Sequence, residues 1–345
     1  MSSADPAPTA ADRSQLPSSL KDAAIRVESA IGAYADALDV HGVTEGVRHQ
    51  LESGGKRVRP ALALWWLDQL QAPQNKGLGF ALAVEFLHNY FLIHDDIEDG
   101  DRVRRGCPTL WVHVGVPLAL NSADFLLAEA YRFVEETGCP TPEAEAQLRH
   151  DFTGTFRTTV EGQALDLACR GEVDFDLDRY EEIVQKKTAR YLALSWVGAA
   201  RIAGADEGLV AGLRGVGAEI GAAFQLRDDA IDLTAGKGRG QIGCDIREGK
   251  PSFFVGHVLQ NSSVSAEDRT RFLEVLESPR DQNSESDVEW TIELYRRTGA
   301  IEACETAAQQ RALNARRRID ALPGISHDTK AAFRDVADYV VGRRV

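Results

Sequence analysis

The sequence predicts an all-α protein, a large single-domain helical bundle around a central cavity. Three observations predict it. From about Leu20 onward, apolar residues recur at three- and four-residue spacing, and alternating strand-like runs are essentially absent. The breaks in that pattern carry helix-ending punctuation at Pro73, Gly100, residues 106–108, residues 138–142, Gly204 and Pro323-Gly324. An apolar content of 43% over 345 residues is enough to fill a sizeable core.

Taken in order, the periodicity predicts helices over 20–38, 42–53, 58–71, 77–99, 118–137, 143–170 and 177–203. It continues with 206–234, 250–260, 265–277, 286–297, 299–321 and 326–342. Residues 1–19, rich in Ser, Ala, Pro and Asp, read as a disordered arm, and 20–345 read as one domain. The first residues lack a basic stretch followed by an apolar one, so no signal peptide is expected. No run of about 18 uncharged apolar residues occurs, which excludes a transmembrane segment from the expectation. Five scattered cysteines (107, 139, 169, 244 and 304) form no CxxC pair and point to reduced thiols in the cytoplasm. A net charge of −14 argues against nucleic acid or an anionic membrane as a general partner.

The chemistry gathers on two acidic clusters. Asp95, Asp96 and Asp99 close the apolar run that begins near Phe80. At ~100° per residue Asp95 and Asp99 share a helix face, where like charges repel unless a cation lies between them. Carboxylates that share a phosphate with water are a common way of holding Mg²⁺. A solvated acidic helix end would account for one such cluster. The second copy, Asp228, Asp229 and Asp232 at the end of another apolar run, makes that account poor for both. Two carboxylate walls meeting across one cavity suit a metal-bound diphosphate.

Basic clusters flank these walls. Gly54-Gly55-Lys56-Arg57-Val58-Arg59-Pro60 combines backbone freedom with three cations, and a solvated basic turn reads the same way. Arg102, Arg104 and Arg105 follow the first aspartates, suited either to bidentate phosphate contacts or to surface pairing with Asp99 and Asp101. Gln163 and Asp166 lie close together on a helix as ligands or as satisfied core polars, and Lys186, Lys187 and Thr188 follow. The glycine-rich stretch 234–250, with Lys237, Arg239, Arg247 and Lys250, reads as a cationic flap or a flexible linker.

In order, GGKRVRP, HDDIEDGDRVRRGCPT, EGQALDL, KKTA, FQLRDDAID and GCDIREGK resemble the trans-type isoprenyl diphosphate synthases over roughly residues 45–255. The resemblance implies the isoprenoid synthase fold, a homodimer and dependence on three Mg²⁺ ions per active site. It implies Mg²⁺-dependent condensation of isopentenyl diphosphate with an allylic diphosphate by ionisation, condensation and elimination. It places Asp95 and Asp99 on two ions with Asp96 in support, and Asp228 on a third that Asp229 and Asp232 reach directly or through water. It assigns Lys187, Lys250 and Arg104 to the allylic diphosphate, with Lys237 beside them. Lys56, Arg59, His88 and Arg105 match the isopentenyl diphosphate pocket, and Thr188 and Gln225 match groups that stabilise a carbocation. Two features depart from the family pattern: the spacing of the flap between Lys237 and Asp245, and Ala123-Asp124 in place of Gly-Asp.

In this family aromatics just before the first aspartates form a floor that stops chain growth. Tyr90 and Phe91 lie about 6–7.5 Å below Asp95 along a helix. They point to a C15 or C20 product, with geranylgeranyl diphosphate favoured by the uninterrupted first cluster and the flap wording. A class I terpene cyclase would share the fold and one aspartate motif, but it would carry a mixed Asn/Ser/Glu second motif and need no second diphosphate pocket. A non-catalytic partner subunit would be expected to lose one acidic cluster.

Overall fold

The computed structural model describes residues 16–72, 74–234, 242–280 and 282–342. Its residues group into two compact units. The first comprises the chain up to Gly154 together with Leu194–Ala211 and Gly324–Ala332; the second comprises Thr155–Ala193, Gly212–Pro323 and the chain from Phe333.

The chain forms α1 (Ser18–Ala37), α2 (Thr44–Glu52), α3 (Val58–Gln69), α4 (Gln74–Glu98), α5 (Leu110–Val114), α6 (Val116–Glu136), α7 (Pro142–Ala168) and α8 (Leu177–Val184). A π-helical turn, Gln185–Ala189, leads into α9 (Arg190–Ile202) and α10 (Glu207–Asp232). Then come α11 (Cys244–Arg247), α12 (Phe253–Gln260), α13 (Ala266–Glu277), α14 (Glu285–Arg297), α15 (Ala300–Asp320) and α16 (His327–Val341). The fold is all-α, as the periodicity predicts. The only strands among the described residues are β1 (Val103–Arg104) and β2 (Cys107–Pro108), a two-residue antiparallel pair.

Each predicted helix is present, with bounds shifted by a few residues. The differences are short. Residues 177–203, predicted as one plain helix, carry the π turn, and α5, α11 and the hairpin are too brief to leave a periodic signature. Leu16 is buried and α1 already begins at Ser18, inside the segment read as an arm; the first fifteen residues lie outside the described ones.

In the first unit α4 is nearly surrounded. Phe80, Ala81, Ala83, Val84, Phe86 and Leu87 are each fully buried, as expected of a helix that is apolar on all sides. α4 packs on α1, α3 and α6. Its Phe80 ring lies against Gly198, where a Cβ would sit 2.0 Å from the ring. A side chain at that position would displace a phenyl group whose burial contributes about 2–3 kcal/mol. The core of the second unit joins Phe175, Tyr180, Phe253, Phe254, Phe272 and Tyr295 around α8, α12, α14 and α15. Helix starts there are fixed locally. Ser265 caps α13, Ser284 and Asp287 form a capping box on α14, and Ser252 caps α12.

Candidate active site

Asp95 and Asp96 lie in the last turn of α4, and the Asp99 amide continues the ladder by donating to the Asp95 carbonyl at 2.8 Å. Asp96 and Asp99 are buried and Asp95 is half-buried. The chain then turns back through β1 and β2. Between them Arg105 (φ 55°) and Gly106 (φ 80°) both take left-handed backbone, the arrangement of a tight hairpin turn that matches strand twist. The fold-back brings Arg104 onto Asp96: its Nε and Nη2 donate to Oδ1 at 2.7 and 2.6 Å. Burial raises the Asp96 carboxyl above its usual range, with the Arg104 guanidinium pulling the other way.

The same turn carries Arg105 to the glycine loop, where its Nη1 donates to the Gly54 carbonyl. A Cβ on Gly55 would lie 2.7 Å from that nitrogen, so the glycine makes room for the guanidinium. His88, on α4, sits within the field of Arg59, Arg105, Arg104 and Arg57. Its imidazole is pushed well below the ordinary value of 6.5, first by burial and then by those four charges. The structure thus brings His88 together with Arg59 and Arg105, while Lys56 lies in the same glycine loop, half-buried. Of the four guanidiniums, Arg57 is engaged by Glu28 and Glu85 and Arg104 by Asp96.

Tyr90 and Phe91 are both half-buried, edge to face at 5.3 Å, and Tyr90 also lies 4.4 Å from the His94 ring. Burial and then the charges of Asp124 and Glu98 hold the Tyr90 hydroxyl protonated, above its ordinary range.

In the second unit the π turn Gln185–Ala189 presents Lys187 and Thr188. Two glycines let neighbouring backbones close on it. A Cβ on Gly162 of α7 would lie 2.4 Å from the Lys187 amide nitrogen, and one on Gly221 of α10 would lie 2.3 Å from Ala189 Cα. Only glycine fits either place, and sequence reading missed both; the glycine at the head of EGQALDL was the available signal. Lys187 Nζ donates to Asp166 Oδ2 at 3.0 Å, which gives Asp166, buried on α7, a definite partner.

The second aspartate cluster repeats the exposure pattern of the first: Asp228 is half-buried, and Asp229 and Asp232 are buried. Both oxygens of Asp229 accept protein hydrogen bonds. Gln225 Nε2 reaches Oδ1 at 2.9 Å, while Tyr180 Oη and the Phe253 amide reach Oδ2 at 2.9 and 3.3 Å. With its amide nitrogen committed, Gln225 offers Oε1 to the Thr188 hydroxyl, which donates to it at 3.0 Å. Asp232 accepts the Asp245 amide on Oδ2 at 3.0 Å, and its carbonyl accepts the Gly243 amide at 2.9 Å. These bonds fix the segment that carries Lys250, whose Nζ lies 2.9 Å from Glu248 Oε2 and 3.9 Å from Asp245 Oδ1. Asp229, Asp232, Asp245, Lys250 and Tyr295 line a cavity of about 10 Å³, room for one water. Lys237 lies outside the described residues.

Among the described residues, no three acidic, His or Cys side chains already converge as a metal centre. The donor types nonetheless fit Mg²⁺, because both clusters offer carboxylate oxygens and each leaves its first aspartate, Asp95 or Asp228, the most open.

Residues 41–295 match the polyprenyl synthetase family. The chain is 33% identical to the short chain isoprenyl diphosphate synthase of Methanothermobacter thermautotrophicus, over 86% of this chain and 88% of that one. It is 30% identical to the geranylfarnesyl diphosphate synthase of Natronomonas pharaonis, over 86% and 88%. The crystal structure of geranylgeranyl pyrophosphate synthetase from Pyrococcus horikoshii superposes with a TM-score of 0.83 at 29% identity, covering 94% of this chain and 97% of that one. The fold, the ordered motifs and these likenesses agree: the chain belongs to the polyprenyl synthetase family and is a prenyltransferase with the isoprenoid synthase fold.

Proposed function

We propose that the protein condenses isopentenyl diphosphate head-to-tail with an allylic diphosphate and releases a C15–C20 prenyl diphosphate, geranylgeranyl diphosphate being the favoured product. The observation that carries this reading is the cluster of positive charge around His88, to which Arg59 and Arg105 contribute, distinct in position along α4 from the aspartates that close the helix. An elongating enzyme handles two diphosphates and needs such a second anion site. A class I terpene cyclase handles one and has no use for it. A non-catalytic subunit would have no reason to keep both aspartate clusters.

Asp95, Asp99 and Asp228 are the residues that would hold Mg²⁺, three ions in all, which when bound offsets the negative charge of a departing diphosphate. Arg104, Lys187 and Lys250 bind and orient that allylic diphosphate. Asp229 and Asp232 support the second cluster, and Asp96 the first. Lys56, Arg59, His88 and Arg105 hold isopentenyl diphosphate so that its double bond lies close to the allylic carbon. Because Thr188 donates its proton to Gln225, its oxygen lone pairs remain available to a carbocation. The proton lost in the last step goes to the released diphosphate, and Tyr90 and Phe91 close the space available to the growing chain. The assembly is a homodimer working in the cytoplasm. No helix among the described residues is long and apolar enough to cross a membrane.

The test is incubation with Mg²⁺, isopentenyl diphosphate and each allylic starter, followed by chromatography of the dephosphorylated alcohols. A C20 alcohol is expected, and longer alcohols are expected from Tyr90→Ala combined with Phe91→Ala. Absence of turnover with every starter overturns the reaction, and an unchanged product distribution in the double variant overturns the floor.

A further inference from the structure

Arg57 occupies an unusual place. It precedes α3 in left-handed backbone (φ 50°, ψ 33°), a conformation that an arginine adopts only when its surroundings hold it there. Among the described residues only three non-glycine residues have positive φ, and two of them, Arg57 and Arg105, belong to the loops around His88. Although Arg57 lies in the basic cluster, it is turned away from solvent, with 4% exposure.

Its guanidinium is held by three elements. Nε donates to Glu28 Oε2 at 2.9 Å, Nη1 to Glu85 Oε1 at 2.6 Å and Nη2 to the Leu51 carbonyl at 2.5 Å. Glu85 is itself fixed: Asn89 Nδ2 donates to its Oε1 at 3.1 Å and to its carbonyl at 2.9 Å, and Asn89 Oδ1 accepts Gln50 Nε2 at 3.1 Å. Glu85, Asn89 and Gln50 are all buried. The network therefore ties α1, α2 and α4 to a single backbone kink. Lys56 lies immediately before that kink, and Arg59 two residues after it. On α4, His88 lies between Glu85 and Asn89, within the same turn of helix.

We propose that Arg57 is a positioning residue for the second diphosphate. Clamped by Glu85 and Glu28, it holds the left-handed kink that fixes the loop carrying Lys56 and sets Arg59 within the field of His88, and it does not touch the substrate. A buried arginine whose donors are engaged by two carboxylates and a carbonyl has little left to offer a diphosphate. This inference rests on the functional reading above.

The experiment measures KM for isopentenyl diphosphate and for the allylic diphosphate in the full-length wild type, Arg57→Gly and Glu85→Gln. Glycine adopts the left-handed backbone without strain, so Arg57→Gly removes the clamp and leaves the kink permitted. Both variants should raise KM for isopentenyl diphosphate tenfold or more while leaving the allylic KM within twofold. A lowered melting temperature with both KM values unchanged would show that the network only stabilises the fold, and would overturn the proposal; so would an equal rise in both. Should either variant fail to fold, Glu28→Gln removes only the outer arm of the clamp. It should raise the isopentenyl KM two- to threefold, and an unmoved value overturns the proposal. Failure of the wild type with every starter would sink the functional reading instead, whereas an active wild type with unmoved variants sinks only the role of Arg57.

Discussion

The two aspartate clusters are spelled alike and buried alike, yet they are held by different chemistry. On α4, Asp96 is met by a guanidinium, and the hairpin that follows exists in part to deliver Arg104 to it. On α10, the equivalent Asp229 accepts from a phenol, an amide side chain and a backbone amide. Each of these hydrogen bonds comes from a neutral donor. The first arrangement balances charge on the spot. The second uses a carboxylate as a fixed acceptor that aligns Gln225 and, through it, Thr188. A repeated motif can thus supply the same open first aspartate while its inner aspartate does different work.

The sharpest way to break this comparison is to neutralise each aspartate in turn. Asp95→Asn and Asp228→Asn should each lower turnover by roughly 10³-fold, the scale of losing a main electrostatic group in a reacting site. Folding should be little changed, since both side chains are only half-buried. Asp229→Asn should cost less turnover, roughly 10²-fold, and should lower the melting temperature as well, because an amide cannot accept on both atoms. Steady-state rates beside thermal melts separate the two patterns, and equal losses from Asp228→Asn and Asp229→Asn would erase the distinction between outer and inner aspartate.

Next in size are the supports. Arg104→Ala strands a buried carboxylate and should cost about 3 kcal/mol of stability. Tyr180→Phe removes one of three neutral donors to Asp229 and should cost about 1 kcal/mol. Urea unfolding of both variants gives the ratio, and similar costs would mean that the charge at Arg104 adds nothing beyond a hydrogen bond.

An effect comparable to that of Tyr180→Phe concerns His88. Its imidazole titrates well below 6.5 in the folded protein. Below pH 6.5 the unfolded chain takes up a proton there that the folded chain refuses, so stability falls as pH drops through that window toward the folded value. One such proton contributes up to about 1.4 kcal/mol per pH unit. His88→Gln should flatten the stability change between pH 6.5 and 5.5 by up to about 1 kcal/mol, and parallel slopes for wild type and variant would show that the imidazole is not held neutral.

Much of the fold was legible because long helices announce themselves: α4, α7 and α10 each repeat their apolar spacing over several turns. The aspartates and basic clusters were legible as chemistry out of place at the ends of apolar runs. What escaped reading depends on partners distant along the chain. Nothing in the glycine loop says that Arg57 will turn inward to Glu85, 28 residues on, while Lys56 keeps to the half-buried edge. Gly162 read as part of a polar helical segment because its neighbour, the backbone of Lys187, comes from another element. The π turn escaped because one extra residue shifts the apolar spacing only once, within a run that is regular on either side.

That extra residue has a consequence for how this chain tolerates insertions and deletions. Between Gln185 and Arg190 the ladder closes over five residues rather than four. Deleting a single residue there would tighten the coil to its regular winding and re-register the side chains of the turn itself, while the helix beyond kept its facing. Thr188 would then swing away from Gln225, although every amino acid named in the reaction was still present. In this part of the molecule, chain length is as much a determinant of chemistry as side-chain identity.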